Sequence, residues 1–268
     1  MIDLHCHILP AIDDGAVDVE ISLAMARMAV EDGIKVTACT PHIMPGVYDN
    51  RGPQIRAAIV QLQGILDEAG IPLKLVTGAD VHIAPDLVQG LKSGQVLSLN
   101  DSRYFLFEPP HHIAPPRLDQ MVFDVLAAGY QPLITHPERL SWVETHYDTF
   151  LQLVHAGAWI QVTAGAVTGR FGRRPKYWVE KMLDDGVVHI LASDAHNVRN
   201  RSPQLTEARE MIAARLGEQA ATDMVLTRPQ GVLDNVAPGT LPDAVGAPKT
   251  PRRGSGFFSR VFQDRRAS

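Results

Sequence analysis

Two histidines in the first predicted strand could bind a metal ion together. Side chains alternate between the two faces of a β-strand, so His5 and His7 in segment 1–7 share one face and Cys6 points to the other. The pair alone is a weak signal, because neighbouring histidines are also ordinary polar residues at strand ends. The prediction of a metal site is strengthened by further residues of metal-binding types that follow predicted strands: Asp14, His42, Asp80, Glu108, His136, Asp194 and His196.

These nine residues define a predicted chemistry. Nine nitrogen and oxygen ligands are too many for one ion and suit two or three divalent ions that share a bridging carboxylate. Such a cluster favours hydrolysis, because it can hold a hydroxide at neutral pH and neutralise phosphoryl oxygens. Arg139 and Arg201 lie three and five residues after a candidate ligand and could bind phosphate oxygens. A solvated charge is the alternative interpretation of each arginine.

The elements that must position these residues alternate along the chain. Apolar runs rich in β-branched residues predict seven strands, at 2–7, 34–40, 73–81, 104–108, 132–136, 159–163 and 187–192. Segments of helical period are predicted at about 18–33, 53–70, 117–128, 147–155 and 175–184. This alternation favours parallel strands with crossover helices, and seven units favour a closed barrel over an open sheet. Functional groups of a barrel lie at the carboxyl ends of its strands, where six of the seven predicted strands place candidate ligands.

Length and composition indicate one catalytic domain. The chain has 268 residues, 45% of them hydrophobic, which is enough for a full core. A formal charge of −5 argues against a nucleic-acid-binding body. Two cysteines offer no disulfide framework, the N-terminus lacks the apolar run of a signal peptide, and no stretch is long enough to span a membrane. We therefore expect a cytoplasmic protein.

The sequence also resembles a known family. The stretches MIDLHCHILPAIDDGA, CTPH, TGADVHI, ITHPER and ASDAHN resemble the polymerase and histidinol phosphatase (PHP) superfamily. They are most similar to its bacterial manganese-dependent protein-tyrosine phosphatases of capsule and exopolysaccharide synthesis, the CpsB/CapC type. The resemblance covers residues 1 to about 228. It implies a distorted (βα)7 TIM-like barrel with a trinuclear site, which dephosphorylates the tyrosine-rich tail of a cognate bacterial tyrosine kinase.

The resemblance also implies a role for each candidate residue. The first metal would be held by His5, His7, Asp80 and Asp194. The second would be held by Asp80, Glu108 and His136, with Asp80 bridging. The third would be held by Asp14, His42 and His196, and Arg139 and Arg201 match the family's phosphate-binding arginines.

Two positions depart from the family pattern. Asp80 in TGADVHI stands where relatives have Glu in TGxEIRI, so the bridging carboxylate is one methylene shorter and occupancy of the second site is in question. His82 replaces an arginine and shares the strand face of Asp80, so it could approach the metals, although a structural histidine is the simpler interpretation. The remaining histidines are expected to be surface or core residues: His111, His112, His146, His155 and His189.

A cysteine nucleophile is not supported. It would need an arginine about six residues further on, where Ile12 follows Cys6 and Pro45 follows Cys39. We therefore expect direct attack on the phosphomonoester by a hydroxide held between the metals, with manganese as the ion and Fe, Co or Zn as alternatives. Two other functions stay open: a small-molecule phosphatase of the histidinol-phosphate type, and a metal-stabilised scaffold that binds a kinase with little hydrolysis. A homo-oligomer also stays open.

The sequence changes character after residue 234. Proline and glycine dominate from Asn235 onward, so we expect a metallophosphatase domain at 1–234 and a disordered linker and tail at 235–268. Residues 248–268 carry a formal charge of +5, and an aromatic face of a short helix would contain Phe257, Phe258, Val261 and Phe262. This pattern is typical of a peripheral anchor for anionic lipid at the inner face of the membrane, or of a docking peptide. A solvated tail is the alternative.

Overall fold

The computed structural model describes residues 1–84 and 86–246. Its strands are β1 (Ile2–Cys6), β2 (Val36–Cys39), β3 (His42–Ile43), β4 (Lys74–Thr77), β5 (Asp80–His82), β6 (Tyr104–Glu108), β7 (Gln131–Thr135), β8 (Trp159–Thr163) and β9 (Ile190–Ala192). Its α-helices are α1 (Val19–Glu31), α2 (Gly52–Glu68), α3 (Leu87–Ser93), α4 (Leu118–Ala127), α5 (Tyr147–His155), α6 (Ala164–Val167), α7 (Arg173–Asp184), α8 (Thr206–Leu216), α9 (Glu218–Thr222) and α10 (Arg228–Leu233).

The strands close into a barrel with seven strand positions. One parallel sheet has the order β1-β2-β4, and the other has the order β3-β5-β6-β7-β8-β9. The short strands β3 and β5 follow β2 and β4 almost directly, so these four segments occupy two positions of the barrel. The barrel closes between β9 and β1, where Cys6 bridges to Ala195 and the Asp194 amide donates to the His5 carbonyl at 2.8 Å. The predicted α/β barrel of seven units is therefore confirmed.

The observed elements differ from the predicted ones in two strands and in several helices. The predicted strand 73–81 is divided into β4 and β5, and β3 was not predicted. The division lies at Gly78, where a Cβ atom would be 2.9 Å from the Thr40 methyl group and 3.3 Å from the Cys39 carbonyl oxygen. The segment between β4 and β5 therefore passes too close to the end of β2 for a side chain at position 78. The sequence pattern also did not indicate α3, α6 or the helices after β9.

Local sequence signals explain where the first helices begin and end. The Asp18 side chain accepts a hydrogen bond from the Ile21 amide at 2.9 Å and caps α1. Pro53 lies in the first turn of α2, where its missing N–H is not needed. Gly33 and Gly70 follow α1 and α2 with φ of 87° and 66°, the left-handed conformation that ends many helices.

The core has an inner and an outer layer. The inner layer lines the barrel and takes one or two apolar residues from nearly every strand, among them Leu4, Ala38, Val76, Leu106, Leu133 and Ile190. The outer layer, to which Cys6 and Cys39 belong, fills the space between strands and helices. Leu4 and Cys6 would share a face in a regular strand. They lie in different layers because the pairing of β1 with β2 shifts between Asp3 and Cys6.

The last described residues pack against the ends where the strands begin. The fully buried Arg228 side chain donates to the carbonyl oxygens of His189 (2.7 Å), Pro242 (2.8 Å) and Asp243 (2.6 Å). The Tyr104 hydroxyl donates to the Val236 carbonyl at 2.8 Å. The expectation that a disordered linker begins at residue 235 is thus wrong for 235–246, because these residues satisfy a buried guanidinium. The basic aromatic segment at 248–268 lies outside the described residues.

The described part of the chain contains no helix that is both long and apolar enough to cross a membrane. The predicted domain limit at residue 234 stays a prediction.

We predict that removing residues 237–268 destabilises the barrel, whereas removing only 247–268 does not. The shorter chain loses the Pro242 and Asp243 carbonyls that Arg228 binds, and it loses the packing of Leu241 on Gly231. The free energy of unfolding should fall by about 2–4 kcal/mol, the range for a buried charge that loses hydrogen-bond partners. Urea unfolding of both chains in excess EDTA measures this difference.

Arg228→Met in the full chain should be destabilising to a similar extent, because three carbonyls lose their donor. Arg27→Met on the exposed face of α1 is the matched control and should change stability by less than about 0.5 kcal/mol. Equal urea midpoints for the two truncated chains would contradict a stabilising role of 237–246.

Candidate metal centre

All nine candidate ligands lie at the carboxyl end of the barrel. His5 lies within β1 near its carboxyl end, His42 and Asp80 begin β3 and β5, and Glu108 ends β6. The other five lie in the loops after β1, β7 and β9: His7, Asp14, His136, Asp194 and His196. Because the strands are parallel, these separate parts of the chain meet at one rim.

The ligand atoms form overlapping groups. Within each group, one nitrogen or oxygen atom per residue lies within 4.8 Å of the others. The groups are His7, Asp14, His42 and His196; His5, His7 and Asp80; His5, His136 and Asp194; His42, Asp80 and Glu108; and Glu108, His111 and His136. A chain of overlapping groups offers positions for more than one ion.

Asp80 lies where these groups overlap. Its Oδ2 atom is 3.4 Å from His5 Nε2, 3.5 Å from His42 Nδ1 and 4.0 Å from His136 Nε2. Both carboxylate oxygens are buried and have no hydrogen-bond partner among the described residues. An ionised carboxylate in that position is costly without a cation. The buried ring nitrogens His42 Nδ1, His136 Nδ1 and His196 Nε2 likewise lack a hydrogen bond within the described chain, and this donor set fits metal ions.

The charges of the site indicate the same demand for cations. Burial favours neutral histidines, yet Asp80 and Asp194 raise the pKa of His5 to about 9. The pKa of His42 is raised to about 10 against the effect of burial, by Glu108, Asp80 and Asp14. Both imidazoles would therefore be protonated at neutral pH when no metal ion is bound. A metal ion that binds here would replace protons, so metal binding and deprotonation are coupled.

The backbone at several proposed ligands departs from regular strand geometry. The irregular pairing of β1 between Asp3 and Cys6 includes His5 and immediately precedes His7. His136 and Asp194 have φ of 36° and 52°, a left-handed conformation that costs energy for residues other than glycine. A Cβ atom at Gly15 would lie 2.2 Å from the His7 carbonyl oxygen, so only glycine lets the loop after β1 fold back over His7.

Two polar side chains that the sequence interpretation did not include orient the first histidines. Asp13 Oδ2 accepts a hydrogen bond from His7 Nδ1 at 2.7 Å, and Asp13 also accepts from the backbone amides of His42 (3.0 Å) and Gly15 (2.9 Å). Gln161 Oε1 lies 2.8 Å from His5 Nδ1. These contacts leave the Nε2 atom of each ring facing the cluster, which is how outer partners commonly fix histidine ligands.

Arg139 and Arg201 are held by the same carboxylate. Asp194 Oδ2 accepts from Arg139 Nη1 and from Arg201 Nη2, the latter at 2.7 Å. Asp194 Oδ1 faces His5 Nε2 at 3.3 Å and His7 Nε2 at 3.5 Å. Burial opposes ionisation of Asp194, but His5 and the two arginines hold the pKa of its carboxyl group well below the ordinary value. Both guanidinium groups are thereby fixed at the rim of the ligand cluster.

A cavity of about 380 Å³ opens above the cluster and the two arginines. Tyr48, Pro110 and Ile113 contribute to its walls, and the Tyr48 ring stacks on His42 with 5.5 Å between centroids and 17° between planes. The entrance is therefore partly aromatic and apolar, whereas the base is charged. This arrangement suits a ligand with an aryl group and an anionic end.

Two further histidines reach the cluster. His111 Nε2 lies 3.8 Å from Glu108 Oε1 and His82 Nδ1 lies 3.6 Å from Glu108 Oε2. The expectation that His111 is an ordinary surface or core residue is therefore wrong, and His82 takes the alternative of approaching the ligands. His112 lines the same cavity. His111 lies three residues after Glu108 in the sequence, but this spacing does not show whether the loop after β6 turns the side chain back to the ligands.

The other histidines and both cysteines lie where the sequence predicts. His189 is a core residue immediately before β9 that stacks on Trp159, while His146 precedes α5 and His155 is its last residue. Cys6 and Cys39 are fully buried, and burial raises the pKa of each thiol above its ordinary value. Neither can supply the thiolate of a cysteine phosphatase.

Known proteins share both the sequence and the fold. The tyrosine-protein phosphatase YwqE of Bacillus subtilis is 39% identical over 219 residues, which cover 82% of this chain and 86% of the relative. The tyrosine-protein phosphatase CpsB of Streptococcus pneumoniae is 27% identical over 238 residues, which cover 87% of this chain and 98% of the relative.

A solved structure from work on YwqE and CpsB, described as unique metal-dependent tyrosine phosphatases, matches with a TM-score of 0.85 and 38% identity. The match covers 88% of this chain and 96% of that structure. A phosphotriesterase from Mycobacterium tuberculosis, at 12% identity and a TM-score of 0.52, shares the fold alone. The family model for capsular polysaccharide synthesis proteins, CpsB/CapC, matches residues 1–234, and the chain belongs to this family.

Proposed function

We propose that this protein is a metal-dependent protein-tyrosine phosphatase of capsule or exopolysaccharide synthesis. The observation that carries the proposal is the position of Arg139 and Arg201 between a buried ligand cluster and an aromatic entrance. An aryl phosphate that enters past Tyr48 would present its phosphoryl group to both arginines and to the cluster. The names of the relatives support the same activity for this chain.

We assign the ligands as three overlapping sets. His5, His7, Asp80 and Asp194 would hold one ion; Asp80, Glu108 and His136 a second; and Asp14, His42 and His196 a third. The position of Asp80 between His5 and His42 supports a bridging role despite its short side chain. Manganese is proposed on the family resemblance, and mixed imidazole and carboxylate ligands also accept Fe, Co or Zn. Such ions supply a hydroxide nucleophile at neutral pH and neutralise phosphoryl charge.

The chain's own residues would bind and orient the substrate. Arg139 and Arg201 would each direct N–H donors at the phosphoryl oxygens, where planar guanidinium groups match the geometry of the anion. The guanidinium carbon of Arg139 lies 5.1 Å from the centroid of the Phe171 ring, a contact that restricts its position. Tyr48 would flank the aryl ring. A tyrosinate leaving group has a pKa of about 10 and needs less protonation than an alkoxide.

The physiological partner is proposed from the resemblance. It would be the phosphotyrosine tail of a bacterial tyrosine kinase, met in the cytoplasm. A peripheral membrane contact through 248–268 and a homo-oligomer remain hypotheses. The small-molecule phosphatase stays the second candidate, because the ligand cluster would serve any phosphomonoester.

We predict a clear preference for phosphotyrosine. With added Mn²⁺, kcat/KM for a phosphotyrosine peptide should exceed that for histidinol phosphate by at least about tenfold. The aryl group would pack in the apolar entrance, and tyrosinate is a better leaving group than an alkoxide. Phosphate release from both substrates at equal enzyme concentration measures the ratio. A ratio below one would favour the histidinol-phosphate class, and no release from either substrate or from p-nitrophenyl phosphate would favour the scaffold.

We predict two or three divalent ions per chain. Elemental analysis after purification with Mn²⁺ counts them, and excess EDTA should abolish phosphatase activity. His136→Ala should remove at least one ion and lower kcat by at least about a hundredfold, while the urea midpoint in EDTA changes little. One tightly held ion per chain, or full activity in excess EDTA, would contradict the multinuclear assignment.

We predict that Arg139→Lys lowers kcat/KM for the phosphotyrosine peptide by about tenfold or more, because an ammonium group cannot reproduce two parallel N–H donors. The metal content should stay unchanged, since Arg139 is not a proposed ligand. Arg27→Lys on α1 is the control for the substitution itself. If kcat/KM of Arg139→Lys equals that of the wild type, Arg139 is only a solvated charge and does not bind the phosphoryl group.

A further inference from the structure

A second cleft lies beside the metal centre. It has a volume of about 650 Å³, and its lining includes Arg139, Arg170, Phe171, Pro175, Asn200 and Arg201. We call it the arginine cleft. His111, Arg139 and Arg201 also line the cavity above the ligand cluster, so the two spaces are adjacent. A ligand bound at the metal centre could therefore extend into the arginine cleft.

The lining of the arginine cleft is basic. Its described lining contains three arginines and no carboxylate. The segment at its edge, 170–176, contains four basic residues and no acidic one, although the chain as a whole carries a charge of −5. Two of these residues, Arg173 and Arg174, lie in the first turn of α7, where the helix dipole disfavours cations. The positive charge is therefore concentrated here against the local preference and would attract anions.

The three arginines of the cleft differ in their contacts. Arg139 and Arg201 bind Asp194 and face the proposed position of the phosphoryl group. Arg170 has no such contact with the ligand cluster among the described residues. Its Nη1 atom donates to Ser202 Oγ at 2.8 Å, and its Nη2 atom is 3.7 Å from Glu207 Oε2. Glu207 is 67% exposed and beyond hydrogen-bond distance, so this pair contributes little.

The neighbours of Arg170 fix its direction. Ser202 is buried, and its hydroxyl donates in turn to Gln204 Oε1 at 2.9 Å. The Ser202 hydroxyl is thereby fixed and holds one edge of the Arg170 guanidinium. The adjacent Phe171 ring packs so closely on Gly165 that a Cβ atom there would lie 2.6 Å from it. Since a guanidinium has five N–H donors, donors remain for a ligand in the cleft. Arg170 is thus an oriented cation, 36% exposed, next to the substrate position.

We infer that the arginine cleft is a second anion subsite, which binds an acidic or phosphorylated side chain next to the phosphotyrosine that is hydrolysed. Arg170 is its principal ligand. This inference rests on the proposed function and adds a substrate preference to it: peptides with anionic residues near the phosphotyrosine bind more tightly than neutral ones. Because the subsite is partly exposed, the preference weakens as the salt concentration rises.

The test compares three phosphotyrosine peptides of equal length. One has neutral residues on both sides, one has glutamates there, and one carries a second phosphotyrosine. At low salt the wild-type kcat/KM should be about five- to twentyfold higher for the two anionic peptides, mainly through KM, as expected for one charge-assisted contact. A higher kcat/KM for both anionic peptides than for the neutral one identifies a general anion subsite. A higher kcat/KM for the doubly phosphorylated peptide alone identifies a phosphate subsite.

Arg170→Ala should reduce this preference to within about twofold, and Arg170→Lys should retain part of it, because the charge remains without the planar fork. Arg27→Ala, a matched loss of an exposed arginine on α1, should retain all of it. Thermal unfolding of each variant checks that the fold is intact.

Equal wild-type kcat/KM for the three peptides, or a preference that survives in Arg170→Ala, would overturn the subsite while leaving the proposed phosphatase intact. If no phosphotyrosine peptide is hydrolysed although p-nitrophenyl phosphate is, the proposed function fails and the subsite fails with it.

Discussion

The candidate site depends on the burial of ionised carboxylates at one end of the barrel. Asp80 and Asp194 have almost no exposed surface, and an uncompensated buried charge costs several kcal/mol. Asp194 is compensated by two arginines on one oxygen and by histidines on the other. Asp80 has imidazoles and the Glu108 carboxylate nearby, and it has no hydrogen bond in the described chain. This imbalance is the physical reason to expect cations at Asp80. It also raises the pKa of His5 and of His42, so that protons can take the place of metal ions on these two rings.

The barrel separates this charged end from the part that stabilises it. Apolar side chains such as Leu4, Leu106 and Leu133 fill the interior below the ligands. At the opposite end Arg228 ties residues 242 and 243 to the start of β9. Two of the proposed ligands, His136 and Asp194, have left-handed backbones. A rigid apolar support allows such conformations to persist where chemistry requires them.

The arginines above the site form a gradient of exposure. The side chains of Arg139 and Arg201 are 20% and 23% exposed and bind the buried Asp194, whereas Arg170 is 36% exposed and binds Ser202. The less exposed pair lies closest to the proposed phosphoryl position, where desolvation strengthens charge interactions. The more exposed arginine lies where a flanking residue would pass. Hydrolysis and substrate selection would thus use the same kind of side chain at different depths.

The sequence by itself determined the barrel and the nine candidate ligands. Both follow from local patterns, because strand alternation sets which residues share a face and parallel strands bring their carboxyl ends to one rim. Only the tertiary structure decided the further partners of the site: Asp13 and Gln161 behind His7 and His5, His111 beside Glu108, and Arg170 beside Arg139. The same holds for 235–246, whose proline-rich composition predicted a linker but which satisfies the buried Arg228. The contacts of Gln161, Arg170 and Arg228 join residues far apart in the chain. Those of Asp13 and His111 depend on how the loops after β1 and β6 fold back, which spacing along the sequence does not encode.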